Sequence, residues 1–244
     1  MRPGNQFDEV SVLIRGGLGD ARIGALTGIP RSTVRDWRRK GRPGVRHRAA
    51  TLDCPRCGGA ISDESAYAHL LGLYLGDGCI SELPRTFRLR LVLDVRYPAI
   101  IEEAKSTISK VHRIGKIGAL LRPGCVEISS YWQHWPCLFP QHGPGRKHLR
   151  RIVLAPWQKE IADRRAPSLL RGLIHSDGCR SLNRVNGGEY PRYFFTNTSS
   201  DILKIFSDAC ETYGVAFRRT RWNAISVARR PDVTKLDRVI GPKS

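Results

Sequence analysis

Two ten-residue stretches are near copies: Leu70-Leu-Gly-Leu-Tyr-Leu-Gly-Asp-Gly-Cys79 and Leu170-Arg-Gly-Leu-Ile-His-Ser-Asp-Gly-Cys179. Leucine, glycine, leucine, aspartate, glycine and cysteine recur in register at an offset of 100 residues. That period is too long for a solenoid. It points to a duplicated half-domain that closes on itself about a pseudo-two-fold axis. After Gly78, the alternation of Phe87, Leu89, Leu91 and Leu93 reads as strand, and a helix from Pro98 carries Ile101, Ala104 and Ile108. A hairpin then spans about 116–131. After Gly178 come a turn at Asn186, a strand over 190–196, a helix from near Ser200 and a hairpin over 216–228. Each half therefore reads helix, two strands, helix, two strands, with a final helix expected.

Charge narrows the class of partner. Forty-one Lys+Arg against 22 Asp+Glu leave a net charge of +19, and arginine supplies 32 of the basic residues. Such a surplus favours a polyanion, and arginine suits bidentate contacts to phosphate and guanine. The charge is spread along the chain, unlike the concentrated basic tail or amphipathic helix of a membrane-surface protein. Apolar runs such as Leu70–Leu75 are far too short to span a bilayer. With no charged-then-apolar leader and an odd count of seven cysteines, the expectation is a cytoplasmic chain without a disulfide framework.

The first 50 residues are the most basic, with eleven Lys+Arg and four Asp+Glu. Phe7, Val10 and Ile14 predict a helix over about 7–16, and a second starts at Asp20 as its N-cap. Gly28 suits the turn, and a third helix from near Pro30 carries Val34 and Trp37 inward until Gly41 and Pro43. The segment Ile23–Trp37 resembles a helix-turn-helix. The resemblance makes the third helix the recognition helix and offers Arg31, Ser32, Thr33, Arg35 and Arg38 to a major groove. A plain three-helix bundle with a charged face is the alternative. Residues 1–48 form this domain, Gly41–Arg48 reads as a basic linker, and 49–64 carries a C-x2-C knuckle at Cys54 and Cys57. Zinc requires four ligands, and Cys137 and His142 are the best remaining donors, with His148 in reserve. Free thiols are the competing expectation.

The segments Leu70–Gly78 and Leu170–Gly178 resemble the two motifs of a single-chain LAGLIDADG homing endonuclease, over about residues 65–244. Tyr74, Leu75, His175 and Ser176 depart from the commoner apolar and small residues of that motif. The fold implied is α+β, two pseudo-symmetric αββαββα repeats (about 65–150 and 165–244) forming a DNA-binding saddle behind a small all-α domain. Gly72 and Gly172 would let the two motif helices pack closely, and Gly78 and Gly178 would stop them.

The resemblance implies a Mg²⁺-dependent endonuclease in which Asp77 and Asp177 each hold a metal at one scissile phosphate. It implies basic residues near the metals, for which Lys116 and Arg218 are the choices. It also implies groove-facing residues: Arg88, Arg90 and Arg122 in repeat one, and Arg192, Arg219 and Arg221 in repeat two. Two motifs on one chain imply a monomer on double-stranded DNA, associated with a mobile intron or intein or free-standing. The alternative is a non-cleaving transcription regulator using the same domain, with an RNA maturase as a third class. Trp132, Trp135 and Trp157 are expected in the core, and the basic run 143–151 on a phosphate backbone or a solvated face.

Overall fold

The computed structural model describes residues 4–40, 54, 57, 59–113 and 115–241, in two units, Met1–Thr51 and Leu52–Ser244. The linker expected over 41–48 lies outside the described residues. In the first unit, α1 (Gly4–Arg15), α2 (Asp20–Thr27) and α3 (Arg31–Lys40) enclose Val10, Ile23, Ile29 and Val34, with Leu13, Ile14, Leu18 and Trp37 at the margin. Gly28 takes a left-handed φ of 66° between α2 and α3, as the tight turn requires. Asp20 is not the N-cap expected; Gly19 holds that place. The Asp20 carboxylate instead accepts a 2.8 Å hydrogen bond from Arg38 Nε and so ties α2 to α3.

The second unit contains the duplication. Repeat one runs α4 (Glu64–Asp77), β1 (Gly78–Leu83), β2 (Thr86–Asp94), α5 (Pro98–Val111), β3 (Ile117–Arg122) and β4 (Cys125–Tyr131). The connection carries α6 (Trp135–Leu138), a short 3-10 turn at Lys147–Leu149 and α7 (Pro156–Arg164). Repeat two runs α8 (Ala166–Asp177), β5 (Gly178–Val185), β6 (Gly188–Thr196), α9 (Ser200–Tyr213), β7 (Arg218–Arg221), β8 (Ala224–Val227) and α10 (Arg230–Ile240). Each repeat forms one antiparallel sheet, in the orders β1-β2-β4-β3 and β5-β6-β8-β7. The class is α+β with two matching halves. The final helix expected of each half is α10 in repeat two; repeat one is followed by α6 and α7 instead.

The two motif helices lie at the centre. Residues 66–75 of α4 are all buried, which explains why its sequence is apolar on every face. Its contact with α8 is backbone against backbone. A Cβ on Gly72 would stand 2.6 Å from Leu173 N, and one on Gly172 would stand 2.2 Å from His69 O. Gly76 lies instead against a side chain: its Cβ would stand 2.2 Å from Ser176 Oγ. Asp63 starts α4 by accepting from Ala66 N at 2.8 Å. The helix stops differ from expectation: Gly78 and Gly178 are extended (φ −94° and −112°), not left-handed. Glycine is needed there for space, because a Cβ would lie 2.5 Å from Tyr74 Cα or 2.7 Å from Ile174 Cα.

The core continues through Leu89, Leu91, Leu93, Tyr193 and Phe195 on the sheets' inner faces, and through Trp132 and Trp135, with Trp157 packed against it. One polar cluster interrupts it. His175 is buried, its Nε2–H donating to Ile240 O (3.0 Å), and its Nδ1 lies 3.5 Å from Glu103. Arg171 grips both oxygens of Glu103 at 2.6 and 2.9 Å and also donates to Val239 O and Ile240 O. His69 Nδ1 meets Thr107 Oγ1 at 3.0 Å. The cluster thus joins α4, α5, α8 and α10.

Gly172→Ala should lower the unfolding free energy by at least about 2 kcal/mol through overpacking. Gly118→Ala, whose Cβ finds nothing nearer than 3.2 Å, should cost far less; equal losses by denaturant titration would contradict this packing account. Burial, opposed by Glu103 and reinforced by His175, Arg171 and Lys110, pushes His69 down to about 4. The native state therefore refuses a proton that the unfolded chain accepts, so stability present above the ordinary histidine value is lost as pH falls toward 4. His69→Gln should flatten that slope, measured by unfolding between pH 7 and 4.5.

Candidate functional site

Asp77 and Asp177 are the last residues of α4 and α8, and the following residue of each begins the first strand of its sheet. Close packing at Gly76 brings the two helix ends together: a Cβ on Gly76 would lie 2.8 Å from Asp177 Oδ2. Both carboxylates line one cleft with Cys79, Arg146, Lys147, His148 and Asn197. Asn197 Nδ2 donates to Asp177 Oδ2 at 2.7 Å, and its own Oδ1 accepts from Ser199 N at 2.7 Å. That pair of bonds fixes the amide's orientation and hence the carboxylate's. Val95 holds the same place in repeat one, two residues before the N-cap of the following helix.

Two carboxylates at the negative ends of two helices concentrate like charge. Lys147 answers it. Its ammonium donates to the carbonyls of Tyr74, Leu75 (2.9 Å) and Gly76 (2.9 Å), the last turn of α4, and lies over the Tyr74 ring. Burial pushes Lys147 down to about 8, while Asp177 and Asp77 pull the other way. Sequence reading assigned this neighbourhood to Lys116 and Arg218. Neither lines the cleft: Lys116 is exposed ahead of β3, and Arg218 is exposed at the start of β7. Lys147 sat unseen in the basic run 143–151, and nothing in its local spacing distinguishes it from Arg146 or His148.

The register sorts the arginines. On the first sheet Leu89, Leu91 and Leu93 face the core, so Arg88 and Arg90 face outward, opposite Tyr131 and Ser129 of β4. Arg122 ends β3 opposite Cys125. Buried Glu127 lies among all three: it accepts from Arg88 Nη2 and stands 3.9 Å from Arg90 and 3.4 Å from Arg122. On the second sheet Arg192 pairs with Ser181, Arg218 with Ser226 and Arg221 with Ala224, all on the face away from Tyr193 and Phe195. Arg219 does not share that face. It pairs with Ile225 and turns its guanidinium back to the carbonyls of Arg221 and Trp222.

In the first unit, Arg31, Ser32 and Arg35 of α3 are exposed and Thr33 is half-buried. Arg38 is engaged by Asp20 and by Leu18 O, which gives it a buttressing role. Among the proposed zinc donors, Cys54, Cys57 and Cys137 come together, but the imidazole beside them belongs to His134. His142 instead lies against Phe139 O and the Phe87 ring.

No family model matches this chain, and no curated protein matches it by sequence. Among solved structures it is similar to the complex of the homing endonuclease I-DmoI with DNA and Ca, at 18% identity and a TM-score of 0.49. That match covers 72% of this chain and 89% of the other. It is also similar to the N-terminal LAGLIDADG domain of DUF199/WhiA, at 13% identity and a TM-score of 0.46, covering 73% and 83%.

Lys147 yields a signed pH test. Its folded value lies below the ordinary lysine value, so the unfolded chain binds more protons between pH 8 and 10.5. Its contribution to stability therefore rises with pH through that window. Lys147→Met should flatten the rise; an unchanged pH profile would remove Lys147 from the helix end.

Proposed function

We propose that the second unit is a metal-dependent, site-specific endonuclease that cuts both strands of double-stranded DNA. The observation that supports this most directly is the single cleft lined by Asp77 and Asp177. Each aspartate sits where a central helix turns into an arginine-bearing sheet. Carboxylates beside helix-terminal carbonyls are hard oxygen donors at a negative helix end, a donor set that fits Mg²⁺. When bound, the ion would supply Lewis-acid polarisation of a phosphate and a more acidic water.

The chain's own residues account for the rest. Asp77 and Asp177 hold the cation side of the cleft, one for each strand, and Asn197 keeps Asp177 aimed. Lys147 offsets the like charge at the helix ends. Arg88, Arg90 and Arg122 on one sheet, and Arg192, Arg218 and Arg221 on the other, take phosphates and base edges in the groove. Arg31, Ser32, Thr33 and Arg35 lengthen the contacted site through a helix-turn-helix. Since one chain carries both aspartates, a monomer serves one duplex. Among the described residues no helix is long and apolar enough to cross a membrane.

One observation favours a second reading, a non-cleaving DNA-binding regulator. Lys147 already brings a positive charge to the two aspartates, so the cleft has a built-in competitor for a metal ion.

The test is cleavage of a randomised duplex library in Mg²⁺ or Mn²⁺, comparing the full chain with Asp77→Asn and Asp177→Asn. Double-strand cuts at one long site, falling at least about 100-fold or reduced to nicks in either variant, are expected. Selective binding without cuts in either metal would select the regulator.

A further inference from the structure

We infer that Cys54, Cys57, His134 and Cys137 form a structural zinc site that clamps the segment before α4 onto the α6 turn. Their ligand atoms all lie within 4.8 Å of one another. Cys57 Sγ is 3.3 Å and Cys137 Sγ 3.7 Å from His134 Nδ1. Zn–S and Zn–N bonds of about 2.3 and 2.0 Å in a tetrahedron place sulfur and nitrogen about 3.5 Å apart, so the side chains already stand at ligand spacing. Three cysteines and one histidine make a closed donor set of the structural kind.

The backbone presents these groups as two matching hooks. Cys57 N and Gly59 N both donate to Cys54 O at 3.0 Å, which folds the first hook. His134 precedes α6 and Cys137 lies one turn on, with Cys137 N donating to His134 O at 2.9 Å. Residues three apart on a helical turn share a side. The sequence His134-Trp-Pro-Cys137 repeats the two-residue spacing of Cys54-Pro-Arg-Cys57, a signal that marks His134 rather than His142 as the fourth donor. Cys54 and His134 are buried, and the Trp132 ring lies against His134 at 5.3 Å, so the second hook rests on the core.

His69, Glu103 and His175 form a cluster of another kind. Those atoms also lie within 4.8 Å of one another, but Arg171 grips both Glu103 oxygens, and a guanidinium already provides the positive charge.

Metal content reports on these four side chains whether or not the chain cuts DNA. The full chain, reduced and stripped of metal, should bind one Zn²⁺, and Co²⁺ in its place should give tetrahedral thiolate spectra. Chelation should lower Tm by several degrees. Cys54→Ser and Cys137→Ser should abolish stoichiometric binding, His134→Ala should weaken it at least tenfold, and His142→Ala should leave it intact. Failure of the wild-type chain to bind either ion, or octahedral cobalt spectra, would overturn the site. Loss of binding in His142→Ala with retention in His134→Ala would overturn the ligand assignment.

Discussion

Everything in the second unit hangs on how near α4 and α8 can come. Glycine faces glycine at the crossing, and the nearest atoms of each partner are backbone. A helix pair held apart by ordinary side chains would sit 8–10 Å between axes; here the absence of Cβ atoms lets the helices approach through main chain. That approach carries the two carboxylates to one cleft, and each helix leads straight into the first strand of its sheet. Helix propensity is given up at these glycines, and burial of residues 66–75 of α4 offsets the loss.

Closeness creates an electrostatic problem that the connection between repeats resolves. Two helix C-termini and two aspartates converge, and the buried ammonium of Lys147 caps the carbonyls of one helix. The polar cluster around Glu103 works similarly at the other surface of the pair. Arg171 neutralises the carboxylate, ties it to the end of α10 and leaves His69 to remain uncharged. Both devices place a half-buried cation where several acceptors share it, the condition under which drawing a charge out of water is tolerable.

Much of this was legible in the residues. The duplicated motif announced two halves, and alternation along Phe87–Leu93 and Tyr190–Thr196 located the strands that carry Arg88, Arg90 and Arg192. Register settled what alternation alone could not, separating Arg218 and Arg221 from Arg219, because the irregularity between Arg219 and Arg221 shifts the pairing by one residue. Lys147 was illegible because its role arises from contact with carbonyls more than 70 residues away. His134 was legible in principle, since it stands three residues from Cys137, nearer than His142 at five. The glycines after the aspartates were identified correctly as special but for the wrong reason, since crowding against Tyr74 and Ile174, not a left-handed turn, excludes a side chain.

The two outward sheet faces began as copies and are copies no longer. On the first, Glu127 gathers three arginines about one buried carboxylate; on the second, Arg192, Arg218 and Arg221 have Ser181, Ser226 and Ala224 as their strand partners. The first set shares one carboxylate, whereas in the second Arg192 lies over the Phe194 ring. The molecule therefore has a direction. Under the proposed function, two unlike faces would be matched by a duplex whose left and right arms differ in sequence.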